Sequence, residues 1–195
     1  MKVYQDINLL PDAEIGLHFL WEKVYQQVHL ALVEMQDADG KVPIGIALPA
    51  YDAENRRLGH KLRLLAETER QLEQCNVREW LSRLSDYVHL TQIRAIPDRV
   101  RTYAYYRRIQ SKSSSARLAR LARRKAEREN IGIELAIATF ENCVEQRIEA
   151  PFVWMKSQSS GERFRLFIEY VETGEPTKGG FSTYGLSHSS SVPVF

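Results

Sequence analysis

The constraint that bears hardest on this chain is the order in which its hydrophobic period changes over the first 97 residues. Val3 to Leu10 alternates loosely through Val3, Tyr4, Ile7 and Leu9, and reads as a strand closed by Pro11. From Ile15 to about Met35 the period becomes helical: Leu17, Leu20, Trp21, Val24, Val28, Ala31 and Met35 recur at three- and four-residue steps, with Asp12 placed to cap the helix. Asp39-Gly40 marks a turn, and the uncharged, β-rich run Val42 to Leu48 reads as a buried strand. Leu58 to Ala66 alternates again, Leu58, His60, Leu62 and Leu64 against Gly59, Lys61, Arg63 and Leu65. Thr68 to about Tyr87 is helical, with a break near Asn76 and with Leu72, Trp80, Leu81 and Leu84 facing inward. Val88 to Ile96 is a last strand, closed by Pro97. The succession β-α-β-β-α-β predicts an α+β, ferredoxin-like (RRM-like) domain over residues 1–97. Antiparallel sheets of this kind can leave one face open, and RNA-recognition modules use that face. Topology alone, however, assigns no function.

Beyond Pro97 the character changes, so the expected second part is a smaller α/β domain over residues 98–195. Val100 to Gln110 is aromatic and basic, Ser111 to Ser115 is a polar hinge, and Ala116 to about Glu129 is an Arg-rich helix. A further helix is expected from Ile131 to about Gln146. Pro151 to Lys156 and Arg163 to Val171 read as strands around a turn, followed by a Gly- and Ser-rich tail from Gly179. Charge is partitioned sharply. The thirty residues Arg99 to Arg128 hold eleven basic residues and one acid, a net +10, against sixteen basic and twenty-four acidic residues, a net −8, in the other 165. Such a window is an electrostatic footprint for a polyanion. Nine of its eleven cations are Arg, whose planar fork suits phosphates and guanine edges. No stretch is apolar for the roughly 20 residues that a bilayer span needs, and MKVYQDINLL lacks the basic start and apolar core of a signal peptide. Two cysteines, Cys75 and Cys143, indicate neither a disulfide framework nor a cysteine-rich metal site. A reduced, cytoplasmic protein without membrane contact is the expectation.

At about 100° per residue, Arg117, Arg120, Arg123, Arg124 and Arg128 fall within roughly 140° of one another, opposite Leu118, Ala122 and Ala126. Such a helix packs one side on protein and turns a row of guanidiniums outward. In A-form RNA the regular major groove is too narrow for side-chain readout, so an Arg helix fits best where a stem ends or opens. Arg108 and Gln110 alternate with Ile109 along an extended segment. Arg pairs bidentately with a guanine edge and Gln with an adenine edge.

Several separated motifs occur together and in order. They are Val28-His29-Leu30-Ala31-Leu32-Val33, Pro43-Ile44-Gly45-Ile46-Ala47-Leu48-Pro49, Leu58-Gly59, Arg108-Ile109-Gln110-Ser111-Lys112-Ser113, the Arg helix, and Pro151-Phe152-Val153. Lys156-Ser157-Gln158-Ser159-Ser160-Gly161 with Phe164-Arg165-Leu166-Phe167-Ile168 follows, and Gly179-Gly180-Phe181 through Tyr184-Gly185-Leu186-Ser187 to Pro193-Val194-Phe195 completes the series. On these residues the chain resembles, nearly end to end, the subtype I-F CRISPR RNA-processing endoribonucleases (the Csy-four, or Cas-six-f, family). The resemblance implies binding of a CRISPR repeat RNA hairpin and cleavage at the base of its stem by the ribose 2′-hydroxyl, leaving a 2′,3′-cyclic phosphate and a 5′-hydroxyl. It implies no cofactor and no metal, retention of the mature guide RNA, and membership with other subunits in a type I-F surveillance complex. Residue by residue, it implies that His29, Ser157 and Tyr184 are catalytic. It makes Arg108 and Gln110 base readers, and Phe164 the residue that stacks on the terminal base pair. Arg117, Arg120, Arg123 and Arg124 line the groove. Arg107, Lys112, Gln158 and Ser159 complete the expected RNA contacts. Residues 131–150 show no match and receive no role.

The chemistry of these residue types agrees with that reading. Transfer of the 2′-oxygen needs a base near neutral pH, which His supplies, and a group that orients the hydroxyl for in-line attack. On the first helix His29 lies roughly 120° from the centre of the buried stripe, on an edge shared with His18, Glu22 and Tyr25. Lys156, Arg163 and Arg165 flank the Ser157 turn with positive charge. Two other readings remain at this level: a non-catalytic or weakly catalytic hairpin-binding subunit that caps the guide RNA, and a structural protein whose Arg helix meets an acidic partner.

Overall fold

The computed structural model describes residues 1–110, 115–140 and 148–195, with backbone alone for 115–117. The chain is α+β with antiparallel strand pairs and divides into two compact units, 1–108 with 150–195, and 109–149. The two sheets draw on different stretches of the chain, one on strands within 3–95 and the other on strands within 102–194.

The first sheet contains β1 (Val3–Leu9), β2 (Gly45–Ala47), β3 (Lys61–Ala66), β4 (Val88–Leu90) and β5 (Arg94–Ala95). Its order is β2-β3-β1-β4, with β5 also paired to β1, and all these pairs are antiparallel. One face packs under α1 (Leu17–Glu34), whose Leu20, Trp21, Val24, Val28 and Ala31 are buried as the helical spacing requires. Each of the Leu and Val side chains contributes about 1.5–3 kcal/mol on burial. Three details differ from expectation. Asp12 does not cap α1: its carboxylate accepts the Glu14 and Ile15 amides in the preceding turn, and Gly16 stands at the N-cap. Leu17 and Met35 are only partly buried, while Tyr25 and Leu32 are fully buried. The helical run after Thr68 is three short pieces, α2 (Glu69–Cys75), α3 (Val77–Trp80) and a 3-10 turn (Ser82–Leu84). The first break is at Asn76, in the left-handed region at φ 41°, one of the few non-glycine residue types that enter it readily.

The strands are shorter than their hydrophobic runs. Pro43 has no amide to donate, so Val42 forms an isolated bridge with Phe181 and the run is a strand only over 45–47. Val88 to Ile96 is split into β4 and β5 on either side of an irregular stretch. The open sheet face also proves to be covered around Arg63. Arg63 is paired with Asp6 by two hydrogen bonds of 2.7 and 3.0 Å, donates to the Phe195 carbonyl oxygen at 2.8 Å, and lies over the rings of Tyr4 and Phe195. At 7–8% side-chain exposure this pair holds only because both ions are satisfied. The alternation of β3 therefore conceals a strand buried on both faces.

The second sheet has the order β7-β8-β6-β9, from β6 (Thr102–Ile109), β7 (Phe152–Lys156), β8 (Arg163–Thr173) and β9 (Val192–Val194). The tail, read only as Gly- and Ser-rich, ends in β9, which pairs antiparallel with β6. The two sheets of this unit share one core, in which Tyr106 donates to the Leu48 carbonyl and Tyr51 to that of Ile168.

In the other unit, α4 (Ser115–Glu129) is the Arg-rich helix, ended by Asn130 at φ 51°, and α5 (Ile133–Ala138) packs against it through buried Ala122 and Ala136. The helix expected over 131–146 is thus helical over 133–138, and 141–146 lie outside the described residues. Among the described residues, no helix is long and apolar enough to cross a membrane.

Candidate active site

The edge of α1 beside its apolar stripe carries Glu22, Gln26 and His29 in successive turns. Glu22 pairs with Arg163 at 2.7 Å, and the Gln26 carbonyl oxygen accepts the Lys156 amide at 3.0 Å. The edge strand β7 is thereby fastened to the helix one residue before Ser157. One turn on, His29 meets the tail. Its Nδ1 is 2.9 Å from the Thr183 carbonyl oxygen, and its ring stacks on Tyr184 at 4.3 Å and 8°. A carbonyl only accepts, so in the neutral imidazole the proton is on Nδ1 and Nε2 keeps its lone pair. Burial pushes the His29 pKa below 6.5, with the Thr183 hydrogen bond as a smaller opposing effect. The ring is consequently a neutral base at neutral pH.

The loop holding Thr183 and Tyr184 is tightly closed. The Gly185 amide donates to the Ser182 carbonyl at 2.7 Å, and the amide and hydroxyl of Ser182 both donate to the Leu186 carbonyl at 2.9 Å. It is pinned from outside by the Ile46 amide on the Gly185 carbonyl, the Ser187 amide on the Tyr106 carbonyl, and the Tyr25 hydroxyl on the Tyr184 carbonyl, each at 2.9 Å. Gly185 is required twice over: its φ is 70°, and a Cβ there would lie 2.5 Å from Ile46 Cγ1. Full burial raises the Tyr25 pKa well above the phenol range, so its hydroxyl stays a donor.

Next to this pair lie Arg108 and Phe164. The Arg108 guanidinium is 5.3 Å from the Phe164 ring centre and 5.4 Å from that of Tyr184, and Phe164 meets Tyr184 edge-on at 6.5 Å. Arg108 Nε is buried without a hydrogen-bond partner among the described residues. His29, Tyr184, Phe164 and Arg108, which are up to 155 positions apart in sequence, thus form one contiguous row. Arg108 supplies positive charge at one end, and the basic nitrogen of His29 stands at the other.

The remaining expected residues are placed differently. Ser157 hydrogen bonds within its own turn, to the Ser159 hydroxyl and the Ser160 amide, both at 3.2 Å, and not to His29. Gln158 and Ser159 are exposed at that turn. Arg107 is paired with Glu169 at 2.6 Å. Gln110 is exposed and belongs to the other unit, as do Arg120, Arg123 and Arg124, which are exposed on α4 without an acidic partner among the described residues. Lys112 and the Arg117 side chain lie outside the described residues. Sequence reasoning missed Tyr25, Gln26 and Thr183. Tyr25 has a legible signal, since it stands four residues before His29 and shares its edge. Thr183 acts through its backbone and leaves none.

A family model described as CRISPR-associated protein (Cas_Csy4) matches residues 4–195. A relative from Pseudomonas aeruginosa (strain UCBPP-PA14), named CRISPR-associated endonuclease Cas6/Csy4, is 35% identical over 198 residues, covering 100% of each chain. A second, of the same name from Escherichia coli (strain UTI89 / UPEC), is 32% identical over 196 residues, again covering 100% of each.

Proposed function

Because this chain belongs to the CRISPR-associated Cas_Csy4 family, we propose that it is an endoribonuclease that cuts CRISPR precursor RNA at the base of the repeat hairpin, without a metal. The observation that carries the proposal is the His29 ring. It is neutral, held at Nδ1 by the Thr183 carbonyl and braced against Tyr184, with Nε2 left as a base beside a cationic, aromatic ledge.

In this reading Nε2 takes the proton of the ribose 2′-hydroxyl. The freed oxygen attacks the adjacent phosphorus in line. The bond to the 5′-oxygen breaks, and that oxygen takes up a proton. The products are a 2′,3′-cyclic phosphate and a 5′-hydroxyl, with no water consumed. Ser157 orients the 2′-hydroxyl, Tyr184 holds the imidazole plane, and Phe164 stacks on the last base pair. Arg108, with no acidic partner among the described residues, and Gln110 read base edges near the foot of the stem. Arg117, Arg120, Arg123 and Arg124 neutralise phosphates, with Arg107, Lys112, Gln158 and Ser159 as further contacts. The functional division stays at residue 97, with a ferredoxin-like first part supported by the strand order β2-β3-β1-β4 and the RNA-binding residues after it. The protein remains on its product within a type I-F surveillance complex.

Incubation with the repeat hairpin in EDTA, followed by mass analysis of the product ends, tests this. Cyclic-phosphate and 5′-hydroxyl ends are expected. Tight binding without a product would support a guide-capping subunit instead, and ends with a 3′-hydroxyl would contradict the chemistry.

A further inference from the structure

The proposed reaction uses the inner side of the β7–β8 hairpin and its turn, and leaves the outer face unassigned. The register sets Phe152 opposite Phe167, Trp154 opposite Arg165 and Lys156 opposite Arg163, so these six side chains share that face. The Arg165 guanidinium is 5.3 Å from the Phe167 ring centre, 5.6 Å from Phe152 and 5.9 Å from Trp154, while Arg163 is 5.1 Å from Trp154. Arg163 is neutralised by Glu22. Lys156 and Arg165 are exposed and have no carboxylate partner among the described residues. The face thus presents two cations without a carboxylate partner among the described residues against partly buried aromatic rings.

We propose that this outer face binds the single-stranded RNA 3′ of the cut, with Trp154 as a stacking platform and Lys156 and Arg165 on its phosphates. The inference rests on the function proposed above. The chemistry points to a nucleic-acid strand because aromatic faces interleaved with free cations match alternating bases and phosphates, and a base stacked on Trp154 also gains the neighbouring guanidiniums. Continuity fixes which strand. Lys156 immediately precedes Ser157, the residue proposed at the scissile ribose, so RNA leaving that point passes onto this face. Because that strand is the leaving fragment, the surface favours uncut precursor over product.

Binding of the whole protein is measured with three hairpins carrying a 2′-deoxy scissile nucleotide, so that none is cut. One ends at the foot of the stem, one has a short 3′ single-stranded tail, and one has an equal 5′ tail. The 3′ tail is expected to tighten binding by roughly five- to a hundredfold, the scale of stacking one base on an aromatic side chain. Trp154→Ala and Arg165→Gln should remove that gain while leaving the tail-less hairpin within about twofold, and Trp154→Tyr should keep most of it. The tail-less affinity itself reports that each variant is folded. A 3′ tail that adds nothing, an equal gain from the 5′ tail, or equal weakening of all three RNAs would overturn the assignment. A face reserved for a protein partner gives the first of these. Failure of the unmodified protein to bind even the tail-less hairpin would instead refute the function on which this inference stands.

Discussion

Replacing Gly185 with alanine tests whether the tail loop positions the imidazole. The residue is at φ 70°, where an L side chain costs about 1–2 kcal/mol. The new Cβ would also lie 2.5, 2.7 and 3.1 Å from Cγ1, Cδ1 and Cβ of Ile46, which is fully buried and cannot swing aside. Overpacking of that kind adds about 1–3 kcal/mol, for a total of about 2–5 kcal/mol. At about 2–4 °C per kcal/mol for a chain of this size, Gly185→Ala should lower Tm by about 4–20 °C. Single-turnover cleavage should fall more than hairpin affinity, because the loop carries Thr183 and Tyr184 to His29 while the Arg helix is untouched. Ile46→Ala removes the two nearest clashing atoms, so the double variant should be less destabilised than the sum of the singles by about 1–3 kcal/mol. A Gly185→Ala protein with unchanged Tm, or strict additivity in the cycle, would refute the reasoning.

Tyr25→Phe removes the hydroxyl that holds the Tyr184 carbonyl. It should cost about 1–2 kcal/mol in denaturant unfolding, and an unchanged unfolding midpoint would contradict that. Gln26→Leu deletes the acceptor of the Lys156 amide and should lower kcat about ten- to a hundredfold with hairpin affinity nearly intact, whereas Gln26→Glu, which keeps the acceptor, should recover most of the rate. Equal losses in both variants would remove the hydrogen bond from the account. The pKa of His29 is lowered in the folded protein, so the unfolded chain binds the proton more tightly. Its contribution to stability is complete above about pH 6.5 and is lost as pH falls through the folded-state midpoint. NMR titration of the RNA-free protein should give that midpoint below 6.5, and one at or above it would be inconsistent with the burial described here. Changing Arg120, Arg123 and Arg124 together to Gln should weaken all stem sequences alike and reduce the salt slope by about 0.7–0.9 per lost phosphate contact. A changed preference at one base pair would show base readout instead.

What sequence could reveal divides along a physical line. The apolar stripe of α1, the alternation of β1, and the strand–turn–strand at 152–173 were legible because short-range periodicity reports burial directly. So was the break at Asn76. The burial of Tyr25 was not, since its position on the helix edge is exposed until a tail nearly 160 residues away closes over it. The burial of Arg63 was not legible either, because Asp6, Tyr4 and Phe195, all distant in sequence, enclose it. The Gly- and Ser-rich tail hid both a strand and the loop that orients His29. Its decisive contacts are made by the backbones of Thr183, Tyr184 and Gly185, which no side-chain pattern encodes. The family resemblance singled out His29, Tyr184, Phe164 and Arg108 one by one, and only the fold sets them side by side.

A single 2′-deoxy substitution at the scissile nucleotide probes the core of the account most directly. The imidazole can only start the reaction if there is a 2′-oxygen to deprotonate. The modified hairpin should bind as tightly as the all-ribose RNA and yield no product in a single-turnover assay. Cleavage that persists at the same bond and rate would mean that the nucleophile comes from elsewhere and that His29 is not its base.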